Sequence, residues 1–173
     1  MKNNSHLTTV RLELFFTFLL ELYSELGFLI YEVTRYNEVM IKWQLFKHTL
    51  SVLFALTVLE LLANVFYLHW TVWWFDVILH FLGGASVSMT AVLILHYQLN
   101  QTISQFKLIL IGVIGALVIG FLWEVYEVLA GDTFLSDGIS YWRDTSSDLI
   151  MDICGGFFAT LYSFRILNSR INS

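Results

Sequence analysis

The stretch Leu108–Trp123, LILIGVIGALVIGFLW, decides the fold, because it contains no ionisable residue. A helix needs about 20 predominantly apolar residues to cross the hydrocarbon core of a bilayer. Extended from about Phe106 to Glu127, this run meets that length. Three other stretches resemble it: about Thr49 to Tyr67, Trp73 to Tyr97 and Ser147 to Leu167. None alternates apolar with polar residues as the strands of a membrane barrel do. The chain has no proline, so nothing requires a helix to break. The expectation is an all-α, polytopic transmembrane bundle of four to five spans. It forms a single membrane domain over residues 1–173, with a four-helix core at 48–168.

Composition agrees. Of the 173 residues, 57% are hydrophobic and only 13% charged, against roughly 45–50% and about 25% in soluble domains. The aromatic share of 17% suits Trp and Tyr anchoring at two interfaces. A net charge of −5 without a basic patch excludes nucleic acid as a partner and leaves membrane lipids. The lone Cys154 supports no disulfide framework and reads as a packing residue. Met1 to Arg11 is polar and no small-residue cleavage site follows, so a cleavable leader is not expected.

Residues 1–47 form either an amphipathic helix or a first span. Glu13, Thr17, Glu21, Ser24, Glu25 and Glu32 fall on one helical face, opposite Leu, Phe and Ile. Orientation follows from alternating the four core spans. One side collects Arg35, Lys42, Lys47, Lys107, Arg165 and Arg170; the other has Arg143 among Asp132, Asp137 and Asp144. The positive-inside rule puts the first side, with the C-terminus, in the cytoplasm and the acidic side outside. A bacterial plasma membrane is the natural setting.

Three polar pairs then share the outer level of the membrane. Asp76 and His80 open the second stretch, Glu124 and Glu127 close the third, and Asp148 and Asp152 open the fourth. Spacings of three and four put each pair on one helical face. Small residues continue the same stripes: Gly83 and Gly84, then Gly112, Ala116 and Gly120, then Gly155 and Ala159. Small residues let membrane helices approach closely, so the pairs are expected on packed faces and converging, with Glu60 and Asn64 nearby.

Taken singly, each pair has an ordinary explanation in backbone amides, Tyr or Trp groups, or Arg143. Asp76, Asp148 and Asp152 at helix starts would also suit the dipole. Glu124 and Glu127, at a negative helix end, would not. Ionised groups in the bilayer cost about 2.5–3.5 kcal/mol even on the lenient scale, and such residues are functional by default. Carboxylates with one imidazole suit a divalent cation. Oxygen ligands favour Mg²⁺ or Ca²⁺, and the imidazole favours Zn²⁺ or Mn²⁺. The metal set is Asp76, His80, Glu124, Glu127, Asp148 and Asp152, and Arg143 would meet an anionic headgroup. Trp70, Trp73, Trp74, Trp123 and Trp142 read as an interfacial belt, and His48, His69 and His96 as plain interfacial residues.

The run Phe75-Asp76-Val77-Ile78-Leu79-His80-Phe81 resembles the Asp-x-x-x-His-Phe signature of VanZ-like membrane proteins. Phe121 to Glu127 is similar to their Glu-bearing helix. Arg143, Asp148, Asp152, Gly155 and Gly156 match their Arg…Asp-x-x-x-Asn/Asp-x-x-Gly segment. A related bacterial inner-membrane family of unknown function is also similar and carries Asp at the position of Asp152. The likeness spans roughly Trp74 to Tyr162. It implies a polytopic protein, and some VanZ-like proteins are associated with resistance to teicoplanin-type glycopeptides. The chain departs from the VanZ pattern at Asp152, where Asn is usual.

Three uses of the cluster follow. In the first, a metal-dependent hydrolase or transferase, or a sensor, works on an envelope lipid or its headgroup. In the second, a small ion- or proton-coupled transporter titrates the same carboxylates, although carrier sites usually lie at the midplane. A bundle this small would need to form a homo-oligomer or join a membrane complex to enclose a path. In the third, a non-catalytic accessory subunit uses the cluster to pin its helices.

Overall fold

The computed structural model describes residues 21, 24, 25, 39–72, 74–99, 103–131 and 133–168. Its helices are α1 (Val39–Phe66), α2 (Leu68–Thr71), α3 (Phe75–Leu99), α4 (Gln105–Ala130) and α5 (Ile139–Asn168), with a 3-10 turn at Leu135–Asp137 before α5. No strand occurs among the described residues. Four helices are long and apolar enough to cross a membrane: α1, α3, α4 and α5. The all-α, polytopic reading holds. The expectation of a helix over residues 12–33 lies outside the described residues, except that Glu21, Ser24 and Glu25 are helical and exposed.

Local sequence sets where the helices stop and turn. Gly131 ends α4 in the left-handed region, at φ 76°, and its N–H closes on the Glu127 and Val128 carbonyls. Gly138, at φ 61° and ψ −119°, turns the chain from the 3-10 turn into α5, a conformation that side chains with a Cβ rarely adopt. Tyr67 is the one left-handed non-glycine residue among those described. It breaks α1 from α2 and folds the short α2 back over the end of the bundle.

Packing follows the small residues. The buried face of α4 is Leu108, Gly112, Ala116, Gly120 and Glu124, one residue per turn. Its opposite face, with Phe106, Leu110, Val118, Phe121 and Leu122, is exposed, as a lipid-facing surface would be. The most extensive helix pair is α3 with α5, and glycines explain it. A Cβ on Gly84 would lie 2.7 Å from the Asp152 carbonyl carbon, and one on Gly155 would lie 2.9 Å from that of Phe81. The two backbones therefore touch. Toward the other end, Leu45, Phe46, Leu53, Met89, Val92, Leu93, Leu108 and Ile166 form an aliphatic core. The bundle is apolar at one end and narrowly packed around polar groups at the other.

Candidate functional site

The polar end is built around His80, on the inner face of α3 and 5% exposed. Its Nδ1 lies 3.0 Å from Oδ2 of Asp152 on α5. An ionised carboxylate only accepts hydrogen bonds, so with Asp152 ionised Nδ1 is the donor. On the opposite side of the ring, Nε2 faces Oε1 of Glu124 on α4 at 3.7 Å. That is beyond hydrogen-bond reach, and neither atom has a hydrogen-bond partner among the described residues. The other oxygen of Glu124, Oε2, accepts a 2.6 Å hydrogen bond from the Thr145 hydroxyl of α5.

Asp148 lies one turn before Asp152 on α5 and is 2% exposed; its Oδ1 is also without a partner among the described residues. Asp76, in the first turn of α3, is half-buried. Asp76, His80 and Asp148 each offer a ligand atom, and those atoms all lie within 4.8 Å of one another. The arrangement thus combines converging donor atoms with three buried polar atoms left unbonded. Buried polar groups are bonded in the great majority of cases, and removing a charge from water without a partner costs several kcal/mol.

A second layer closes the end of the bundle. His69, on α2, bridges two carboxylates: Nδ1 is 3.3 Å from Oδ1 of Asp76, and Nε2 is 3.6 Å from Oε1 of Glu60. Burial alone would disfavour a charged imidazole here. The hydrogen bond to Asp76 and the pull of Glu60 outweigh it, and the pKa rises from 6.5 to about 10. His69 is therefore an imidazolium clamp between α1 and α3. Because its two nitrogens point to opposite sides of the ring, it does not gather Glu60 and Asp76 around one point. Asn64 completes the clamp by donating 2.8 Å to the same Glu60 oxygen.

The convergence read from the spacing is present for Asp76, His80, Glu124, Asp148 and Asp152. Glu127 Oε1 accepts from the Trp123 indole at 3.0 Å, within its own helix. Arg143 is exposed in the early turns of α5, at the same end of the bundle. One expectation needs correction. Asp148 and Asp152 do not begin their helix, because α5 starts at Ile139 and has no acidic residue in its first turn. Both lie more than two turns inside it, where the dipole offers little. Their neighbours are His80 and the α3–α4 interface instead.

His69 and His48, expected as plain interfacial residues, make specific pairs, His48 with the Tyr162 hydroxyl between α1 and α5, and Thr145 stood outside the expected site. For His69 a faint signal existed in the acidic residues at Glu60 and Asp76 on either side of it. For Thr145 none did, since its partner lies 21 residues away. Of the interfacial belt, Trp74 and Trp142 are exposed and Trp123 is bonded to Glu127. The side chains of Trp70 and Trp73 lie outside the described residues.

Residues 8–169 match the model of a family described as predicted membrane protein (DUF2238). The match covers nearly the whole chain, and the chain belongs to that family. The VanZ likeness rests on the short motifs alone. No curated protein matches the chain significantly, and no solved structure does either.

Proposed function

We propose that this DUF2238 membrane protein binds a divalent cation at the outer end of its bundle and uses it on an envelope lipid headgroup. One observation carries the reading: His80 Nε2, Glu124 Oε1 and Asp148 Oδ1 are buried without a hydrogen-bond partner among the described residues, and His80 and Asp148 converge with Asp76 to within 4.8 Å. Metal–nitrogen and metal–oxygen bonds are about 2.0–2.2 Å, which puts two ligands of a tetrahedral ion roughly 3.4 Å apart. The 3.7 Å between Nε2 and Glu124 Oε1 suits an ion shared by both. Charge supports it as well. With Glu60 and the His69 imidazolium counted as one neutral pair, Asp76, Glu124, Asp148 and Asp152 would bring four negative charges when ionised. A divalent ion offsets two of them. One imidazole with several carboxylates favours Zn²⁺ or Mn²⁺ over Mg²⁺ or Ca²⁺.

The ion would polarise a phosphate or ester oxygen and lower the pKa of a bound water. Arg143, exposed at the same end, supplies a cation for an anionic headgroup. Exposed Trp74, Trp142, Leu135 and Ile139 surround it with the apolar surface of an interface. The charge asymmetry of the loops supports an outward-facing site, and the VanZ-like motifs support an envelope lipid.

The test is turnover by the purified protein in lipid nanodiscs. Mixed phospholipids and isoprenoid phosphates are supplied with Mn²⁺ or Zn²⁺, and the products are read by mass spectrometry. The proposal expects a cation-dependent product with the wild type and none with His80→Asn. Cation binding without any product would favour sensing over catalysis. No cation binding and no product would leave the cluster as a helix-pinning device.

A further inference from the structure

We infer that Asp152 is a positioning residue rather than a ligand: it fixes the His80 ring so that Nε2 faces the Glu124 carboxylate of α4. The inference rests on the cation reading only for what Nε2 binds, not for how the ring is held. Three facts support it. First, the Asp152 carboxylate is committed through Oδ2 to the His80 Nδ1–H, at 3.0 Å. Second, it is confined. A Cβ added at Gly120 would lie 2.6 Å from Asp152 Cγ, and one at Gly83 3.8 Å from Oδ1, so the carboxylate is seated against the backbones of α3 and α4. Third, the remaining ring nitrogen has no hydrogen-bond partner among the described residues, and it lies 3.7 Å from Glu124 Oε1, which has none either.

A carboxylate behind a ligating histidine sets the tautomer and ring orientation, and losing it typically lowers metal affinity by about 10–100-fold. Asp152 has that relation to His80. The Gly120 contact is then part of the same device, since a side chain there would push the carboxylate away from Nδ1, and Gly84 lets the Asp152 backbone approach α3. The four acidic residues around His80 divide into two kinds. Glu124 faces Nε2 at 3.7 Å, Asp76 and Asp148 bring ligand atoms within 4.8 Å of one of the imidazole nitrogens, and Asp152 stands behind the ring.

The test separates a ligand from a positioning residue through Asp152→Asn and Asp152→Leu, with Asp148→Asn for comparison. In protein labelled with ¹⁵N-histidine and free of metal, Nδ1 should carry a hydrogen-bonded proton in the wild type. Asp152→Asn keeps an acceptor oxygen and should retain that signal, whereas Asp152→Leu should lose it. After loading with ¹¹³Cd²⁺, scalar coupling should run to Nε2 of His80. Cadmium affinity should fall by less than about tenfold in Asp152→Asn, by about 10–100-fold in Asp152→Leu, and below detection in Asp148→Asn. A bare Nδ1 in the wild type, coupling through Nδ1, or equal loss in Asp152→Asn and Asp148→Asn would overturn the inference. If the wild type takes up no cadmium, the cation reading fails, and the metal-free Nδ1 signal in the wild type and Asp152→Leu still decides how His80 is held.

Discussion

His80 on α3 and Glu124 on α4 face each other across 3.7 Å, Nε2 to Oε1, and neither atom is hydrogen-bonded among the described residues. Both side chains are otherwise well supported. Asp152 holds the far nitrogen of the ring and Thr145 holds the other oxygen of the carboxylate. Each group is held from behind, and the facing atoms sit at ion-pair distance without a hydrogen bond, the opening that the proposed cation would fill.

Thr145→Val tests the support of Glu124. The substitution keeps the shape but removes the 2.6 Å hydrogen bond to Oε2. Loss of an outer partner costs roughly 10–100-fold in metal affinity. Isothermal titration with Zn²⁺ or Mn²⁺ is expected to show a loss in that range while the helical circular dichroism spectrum is unchanged. Unchanged affinity would remove Thr145 from the site.

Close packing makes its own prediction. Gly120→Ala would put a Cβ 2.6 Å from Asp152 Cγ, and Gly84→Ala 2.7 Å from the Asp152 carbonyl carbon. Gly115→Ala would meet only Val87 Cγ1, at 3.6 Å, an ordinary contact. Overpacking typically costs about 1–3 kcal/mol. Thermal melting in detergent is expected to drop for Gly84→Ala and Gly120→Ala and to hold for Gly115→Ala. Equal melting of all three would contradict the backbone contact between α3 and α5.

The His69 clamp predicts a pH dependence with a definite sign. Its folded pKa, about 10, lies above the ordinary 6.5. The imidazolium therefore contributes its full stability below about pH 6.5, and that contribution fades as pH rises through about 10. The gain is on the order of 1 kcal/mol, because the ring is partly exposed and the ion pairs are screened. The melting temperature of the wild type should exceed that of His69→Gln at pH 6, and the difference should shrink toward pH 10.5. A pH-independent difference would mean the clamp is not charged.

The four spans were legible because an apolar helix long enough to cross a bilayer is visible without knowing its neighbours. The convergence of Asp76, His80, Glu124, Asp148 and Asp152 was legible for a related reason. Helical spacing put each pair on the glycine stripe, and in a membrane that stripe marks where helices meet. The division of labour among them was not. Whether Asp152 faces an ion or the back of His80 depends on a contact 72 residues apart, and sequence spacing carries no information on ring orientation. The early start of α5 was missed because Ile139–Ser146 is too polar to read as membrane, although Asp137-Gly138 before it is a recognisable turn signal. The three-residue spacing from Glu124 puts Glu127 with the cluster, and nothing in that spacing shows its bond to Trp123, one turn back in the same helix.

The central claim is the cation, and the metal content of the purified protein tests it most directly. Wild type, His80→Asn and Asp148→Asn would be equilibrated in turn with Mg²⁺, Mn²⁺, Ca²⁺ and Zn²⁺, desalted, and measured by inductively coupled plasma mass spectrometry. Folding would be followed by circular dichroism. Close to one equivalent of Zn²⁺ or Mn²⁺ is expected in the wild type and almost none in either folded variant. A wild type that retains no divalent ion under any of the four conditions would contradict that claim.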